Sequence, residues 1–396
     1  MLRKAMLNFC AVFLGIMAGI VLLEICLRIY NPVNQTVKGD RIVLRVNYDE
    51  VLDNEDIPGL AHQSRKHINS IGFRGPDPPE DLSKRLSVIT IGGSTTRSAA
   101  HSDDRTWTSF VGAALANCFK SVWINNAGFD GHSSFAHIQL IQGYVRKLHP
   151  KMVLLLIGAN DIYADGYEPS EMQAYEQEQV TGPVTFRTGV KGLLKGLANR
   201  SEVIALGLTF YRSYRAWKEG LAIPYVEWRT LAEADPMPVN GEALLAAAEQ
   251  RQRAYASRLR KIIDLLKEGN TTPVLLTQPS PFGPYIDGTT GKDMLRVENG
   301  LFRYRMIEIF NDTMRQVSKA ENVHLIDLSG RLNDTKYFFD YWHFTNEGEE
   351  RLAHLVASDL LSFVAIKFSS YSKGECTSDL VQSPKQPAHA DALDPL

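Results

Sequence analysis

The chain has 396 residues, enough for one large domain or two ordinary ones. Its 44% hydrophobic and 22% charged content is that of a globular protein rather than a disordered one. A formal net charge of −2 removes the basic excess expected of a nucleic-acid partner.

The first element is apolar. Ala5 to Leu23 carries no charge, and Asn8 is its one strongly polar residue. A helix over that stretch rises about 28 Å, close to the roughly 30 Å of a hydrocarbon core. Arg3 and Lys4 precede it, so the positive-inside rule leaves the N-terminus in the cytoplasm and sends the rest across, although Arg28 blunts the asymmetry. A cleaved signal and a buried core helix are the alternatives. Leu22-Leu23-Glu24-Ile25 lacks an A-x-A-like cleavage site, and Ile25 is too large for lipid attachment at Cys26. A single-pass anchor over residues 1–29 is therefore expected. Cys10, Cys26, Cys118 and Cys376 show neither CxxC nor Cys/His ligand spacing, so no disulfide framework and no zinc site is expected.

Residues 30–85 are rich in turn formers (Asn31-Pro32, Pro58-Gly59, Pro76-Asp77-Pro78-Pro79) and read as an irregular connector. Then short apolar runs alternate with helical patterns. Strands are expected at Leu86–Ile91, Val122–Asn125, Met152–Ile157, Pro273–Thr277 and Val323–Asp327. Helices are expected at 106–119, 133–148, 241–268, 300–320 and 346–363, the last opening on a capping-box-like Asn346-Glu347-Gly348-Glu349. This alternation predicts an α/β fold, a three-layer sandwich with a central parallel sheet, over residues 86–366. An aromatic-rich, basic stretch at about 164–240 interrupts it and reads as a helical insertion, either with its own small core or as a lid or membrane-facing element. The polar tail, 367–396, is expected to be disordered.

Several residues fall where such a sheet exposes chemistry, just beyond strand ends. Ser94, in Gly92-Gly93-Ser94-Thr95, follows the first apolar run and opens a helix whose N–H groups could meet an oxyanion. Alone, an ordinary cap after a glycine turn explains it better. No Gly-Lys-Ser/Thr follows, which disfavours a phosphate loop. Asn160 follows the third strand and could donate an amide N–H; Gly128 or Gly131, after the second, could offer a bare backbone N–H. Asp340 and His343 stand three apart on a turn, so the carboxylate can hold one imidazole nitrogen while the other faces outward as a base. His132 reads as a surface-turn histidine, Arg97 as a solvated helix residue, and Asp161 as support for Asn160. No ligand spacing points to a metal, and no cofactor is expected.

Four ordered blocks then carry a resemblance. Ile89-Thr90-Ile91-Gly92-Gly93-Ser94-Thr95-Thr96, Asn125 to Ser134, Leu156-Ile157-Gly158-Ala159-Asn160-Asp161 and Asp340-Tyr341-Trp342-His343 together resemble the SGNH (GDSL-type) hydrolases across roughly residues 68–363. Asn69 to Gly75 also looks like the lead-in of membrane-anchored bacterial members. The resemblance implies a flavodoxin-like sandwich, Ser94 as nucleophile, His343 as base and Asp340 as its orienter. It also implies an oxyanion hole from the Ser94 N–H, the Gly131 N–H and the Asn160 amide. Gly93 and Thr95 depart from the family's Asp and Leu, which loosens any transfer of substrate class. An α/β-hydrolase reading fails at Thr96, where G-x-S-x-G needs glycine. The expected function is a serine ester hydrolase acting on acyl or acetyl esters of cell-surface glycans or lipids, with the catalytic domain outside the cytoplasm. The alternatives are an O-acyltransferase using the same acyl-enzyme, or a non-catalytic glycan- or partner-binding module of this fold. The sequence sets no oligomeric state.

Overall fold

The computed structural model describes residues 2–30, 37–38, 41–54, 57–162, 196–218, 225–234 and 237–374. The strands are β1 (Val37–Lys38), β2 (Arg41–Ile42), β3 (Tyr48–Asp53), β4 (Gln63–Ile68), β5 (Leu86–Gly92), β6 (Val122–Gly128), β7 (Met152–Leu156), β8 (Thr272–Leu276) and β9 (His324–Ile326). The helices are α1 (Leu2–Ile29), α2 (Ser94–Arg97), α3 (Trp107–Cys118), α4 (Ser134–Leu140), α5 (Arg146–Leu148) and α6 (Ala159–Ile162). They continue with α7 (Glu202–Lys218), α8 (Gly241–Glu268), α9 (Gly300–Glu321) and α10 (Asn346–Lys367). The chain divides into two compact units: Met1–Arg45 with Asp165–Ile223, and Val46–Ala164 with Pro224–Leu396.

In the first unit α1 is long and apolar enough to cross a membrane over Met6–Ile29, with mean hydropathy 2.6. At its end Leu27 is buried, as are Ala198 and Ala205. The insertion expected over about 164–240 is described only in part, since 163–195 lie outside the described residues. What is described divides between α7 in the first unit and 225–234 in the second.

The second unit is built on a five-stranded, wholly parallel sheet in the order β6-β5-β7-β8-β9. Parallel strands must be covered on both faces, which is why these strands read as continuous apolar runs. Leu86 and Val88, Met152, Leu154 and Leu156, Val274 and Leu276, and Ile326 pack with Trp107, Val111 and Leu115 of α3 and with Leu352, Val356 and Leu360 of α10. The alternating set, Ile89, Ile91, Val153, Leu155 and Leu275, points to the opposite face and is equally buried. There α8 packs on β8 and on α9, with Tyr255 against Phe310 at 5.3 Å between ring centroids. Each such apolar side chain contributes roughly 1.5–3 kcal/mol on burial.

Some elements differ from the expectation. Residues 48–68, within the expected connector, form an antiparallel hairpin, β3 with β4. The chain then runs to Arg74, which exchanges backbone hydrogen bonds with Asn126 at 3.0 and 2.8 Å and so covers the edge strand β6, where bare N–H and C=O groups invite wrong pairing. The helix expected at 133–148 is interrupted by a π-helical turn, Ile141–Val145. Thr345, not Asn346, caps α10, its hydroxyl accepting from the Gly348 N–H at 3.1 Å. Within the expected tail, Tyr371 and Lys373 dock beside α3 through Lys120 N–H to Tyr371 O (2.7 Å) and Lys373 N–H to Cys118 O (2.9 Å); 375–396 lie outside the described residues. Cys118 is disulfide-bonded, against the expectation, while Cys10 and Cys26 are free.

Candidate active site

The strand order is the doubly-wound 2-1-3-4-5 arrangement, in which successive connections leave the first strand of the sheet in opposite directions. Here that first strand is β5, and the loops after β5, β6 and β7 leave the carboxyl ends of three neighbouring strands. Ser94 follows β5, Gly131 follows β6 and Asn160 follows β7.

Ser94 starts a single helical turn that stops at Ser98, held in the left-handed region at φ 50°. Gly93 precedes it, and a Cβ there would stand 2.4 Å from the Asn160 Nδ2, so a side chain at 93 would have to push that amide aside. The turn is pinned from several sides. The Trp107 indole N–H donates to the Thr95 carbonyl at 3.2 Å, and the Asn126 amide donates to the Thr96 carbonyl. The buried Arg74 guanidinium donates to the Arg97 carbonyl, to the Ser98 carbonyl at 3.0 Å and to the His101 carbonyl at 2.8 Å, while pairing with Asp103 at 2.8 Å.

Asp340 and His343 sit on the loop before α10. The Asp340 carboxylate is buried; Oδ1 accepts the backbone N–H groups of Trp342 and His343, both at 2.7 Å, and Oδ2 stands 2.6 Å from His343 Nδ1. The other ring nitrogen, Nε2, lies 2.7 Å from Ser94 Oγ. Burial alone would pull the His343 pKa down; the Asp340 hydrogen bond and charge, helped by Asp130 and Glu349, more than offset it and hold it above the ordinary 6.5. An imidazole so oriented can take the serine proton and keep it.

Asn160, on the one-turn α6, donates Nδ2 to the His132 carbonyl at 3.0 Å, which sets the amide beside Gly93. Gly131 adopts φ 71°, and no described atom lies within 4 Å of where its Cβ would be. The structure thus joins Ser94, His343 and Asp340 directly, joins Asn160 to the turn through Gly93, and links Gly131 to the group only through the neighbouring His132.

Three neighbours differ from their expectation. His132 is buried, stacking toward Phe129 (5.1 Å) with His137 at 6.1 Å; burial, then the nearby His137 and Arg97, lower its pKa to about 3. Arg97 is ion-paired, 3.2 Å from Asp130 and 3.6 Å from Glu50. Asp161 accepts the N–H and hydroxyl of Ser134 and pairs with Arg258 at 3.0 Å, so it anchors the N-terminus of α4.

Sequence reasoning missed a strap. Val226 N–H donates to the Phe339 carbonyl and the Trp228 indole N–H to the Phe338 carbonyl, both at 2.9 Å. The Lys292 ammonium gathers the Trp228, Arg229 and Leu231 carbonyls. Phe338 and Phe339 lead into Asp340, so residues 225–234 brace the histidine loop. Beneath the site lies a second missed group. Glu349 is buried and accepts the Trp107 backbone N–H. Its Oε1 is 3.6 Å from His101 Nδ1, but this is no ion pair at neutral pH. Burial raises Glu349 to about 8, and burial, then Arg74 and His343, lower His101 to about 3. Among the described residues no group of three or more His, Cys, Asp or Glu side chains is placed to hold a metal ion.

Comparison with known proteins matches residues 90–351 to the GDSL-like Lipase/Acylhydrolase family. No curated protein matches the chain. Similar solved structures include a GDSL-like lipase from Bacteroides thetaiotaomicron, 11% identical over 73% of this chain and 93% of that one, with a TM-score of 0.38. A putative acylhydrolase from Bacteroides fragilis is 12% identical over 73% and 91%, with a TM-score of 0.38. An acetylxylan esterase from Geobacillus stearothermophilus is 14% identical over 69% and 94%, also with a TM-score of 0.38. The family match spans well over half of the sequence, so the chain belongs to the GDSL-like lipase/acylhydrolase family and is a hydrolase acting on ester bonds.

Proposed function

We propose that the chain is a membrane-anchored serine ester hydrolase in which Ser94, His343 and Asp340 form the catalytic triad. The observation that carries the reading is the continuous relay from Asp340 through His343 to Ser94, at 2.6 and 2.7 Å. Ser94 Oγ attacks the ester carbonyl carbon while His343 Nε2 takes the hydroxyl proton. The tetrahedral oxyanion is met by the Ser94 and Gly131 N–H groups and by the Asn160 amide, which keeps one N–H beyond the one given to His132. The C–O bond to the alcohol then breaks and the alcohol leaves with the proton from His343. Water, deprotonated by the same nitrogen, attacks the acyl carbon; the C–Oγ bond breaks, Ser94 Oγ takes the proton back from His343 and the carboxylic acid leaves.

The substrates we assign are acyl or acetyl esters of cell-surface glycans or lipids, met outside the cytoplasm. Three features support that placement: the apolar α1, the Arg3-Lys4 pair before it, and the disulfide at Cys118, a bond that persists in oxidising compartments. The test is ester turnover by the full chain in detergent, on p-nitrophenyl esters of graded chain length and on acetylated glycans. Covalent labelling by a serine-reactive phosphonate at Ser94, lost in Ser94→Ala, accompanies turnover if the reading holds. Full turnover by both Ser94→Ala and His343→Ala would end the assignment.

A further inference from the structure

The run of uncharged side chains in α1 ends at Glu24, and that carboxylate is turned onto another helix. It accepts the Ser201 hydroxyl at 2.9 Å and the backbone N–H groups of Glu202 and Val203 at 3.0 and 3.1 Å. These are the orphan donors at the N-terminus of α7, so a side chain of α1 caps a helix far along the sequence. Arg28 adds a second tie through the Arg200 carbonyl at 2.6 Å. The described side chains from Met6 to Leu23 are all exposed, whereas Leu27 is buried. The two helices therefore meet at the turn where α1 ends its apolar run, and α7 leaves the rest of α1 bare.

Beyond that joint, α7 exposes Gly207, Phe210, Tyr211 and Tyr214, which share one face at helical spacing, while Ala205 is buried. The three aromatic side chains are 60%, 59% and 55% exposed. The sequence of residues 212–218 also contains Arg212, Arg215 and Lys218, three basic residues. The apolar portion, Glu202–Tyr211, rises only about 15 Å, half the thickness of a hydrocarbon core, so α7 is too short to cross.

We propose that α7 lies in the headgroup layer of the bilayer, on the leaflet where α1 emerges, with Phe210, Tyr211 and Tyr214 inserted among anionic lipids. The proposal rests on reading α1 as a membrane anchor. Tyrosine and tryptophan favour this depth because their rings are apolar and their tips polar, and an amphipathic helix there reaches about 5–10 Å into the boundary. The Glu24 cap fixes α7 at that level, because Glu24 itself stands where the apolar run stops.

The test uses the full chain with Cys10→Ser and Cys26→Ser, reconstituted in vesicles of phosphatidylglycerol and phosphatidylcholine. An environment-sensitive fluorophore is attached at Phe210→Cys or, separately, at Leu14→Cys. Spin-labelled lipids then quench from a shallow or a deep acyl position. The expected result is shallow quenching exceeding deep quenching by at least about twofold at 210, with the reverse order at 14. Omitting phosphatidylglycerol should weaken quenching at 210 and leave 14 unchanged. Deep quenching at 14 with a water-like, unquenched 210 overturns the proposal and leaves the anchor standing. A blue-shifted but unquenched 210 places the helix against protein and also overturns it, as does stronger deep than shallow quenching there. Loss of quenching at 14 overturns the anchor reading and the proposal with it.

Discussion

The Glu349 carboxyl accepts the backbone N–H of Trp107 across 242 positions of sequence, tying the first turn of α10 to the start of α3 directly below the candidate nucleophile. Glu349→Ala leaves that buried donor unmet, an expected cost of about 1–3 kcal/mol, read as a fall in the denaturant midpoint. The pH dependence has a definite sign. Burial, opposed by Ser98, Trp107, Arg74 and His343, raises the folded pKa to about 8 from 4.5. The native state therefore binds a proton that the unfolded chain has released, and this contribution is full below 4.5 and lost as pH rises through 8. His101, His132 and His137, lowered by burial to about 3, 3 and 4, act oppositely, losing stability as pH falls below 6.5. Between about pH 6.5 and 8 the raised pKa of His343 acts in the same direction as Glu349, so the decline in wild-type stability there should become shallower, not vanish, in Glu349→Gln. An unchanged slope there would show that the carboxyl is ionised throughout.

Ser94→Ala and His343→Ala should each lower kcat by about three to four orders of magnitude, and the double variant by little more, because the groups act as one unit. Steady-state kinetics on a p-nitrophenyl ester measure this; additive losses would argue for separate roles.

The base must be neutral to act, and the His343 pKa lies above 6.5. The acid limb of the kcat/KM profile should therefore have its midpoint above 6.5. Asp340→Asn removes the opposing charge, leaves burial to act, and should shift that limb downward while kcat falls. A limb unmoved by the substitution would assign it to another group.

Gly93→Ala tests the Asn160 amide without touching it. The added methyl would displace the amide nitrogen, which stands 2.4 Å from that position. Turnover should fall about 100- to 1,000-fold, matching Asn160→Ala, with little change in thermal midpoint. A variant as active as wild type would show that the amide does no work on the oxyanion.

The strap predicts a longer-range effect. Trp228→Phe keeps an aromatic ring but deletes the hydrogen bond to the Phe338 carbonyl. Lys292→Met removes the cation that gathers three strap carbonyls. Loosening the loop before Asp340 should lower kcat about 10- to 100-fold, since small misplacement of a catalytic group is costly. KM should change less than kcat, and a proportionate rise in KM would point to substrate contact instead.

The sheet was legible because its strands are buried on both faces: Leu86–Gly92 and Met152–Leu156 could only read as continuous apolar runs. Asp340 three before His343 is a local signal, whereas Ser94 after Gly92-Gly93 reads alone as a cap and stood out only because Gly131, Asn160 and His343 also fall beyond strand ends or before the last helix. What escaped depends on distant partners. His132 looks like a turn residue until Phe129 and His137 enclose it, and Glu349 looks like a cap residue until Trp107 claims it. Arg74 sits in turn-rich sequence, and nothing local says its guanidinium will collect three carbonyls from 97–101. The long helix expected at 241–268 keeps those limits in the structure.

Arg74 also decides where this enzyme can be cut. The family match starts at residue 90, yet the compact unit that holds the site starts at Val46. A fragment trimmed to the homologous boundary would discard the guanidinium that clamps the segment after Ser94, and would strip the hairpin that precedes it. A start at Val46 keeps both, and a start near Thr90 loses both.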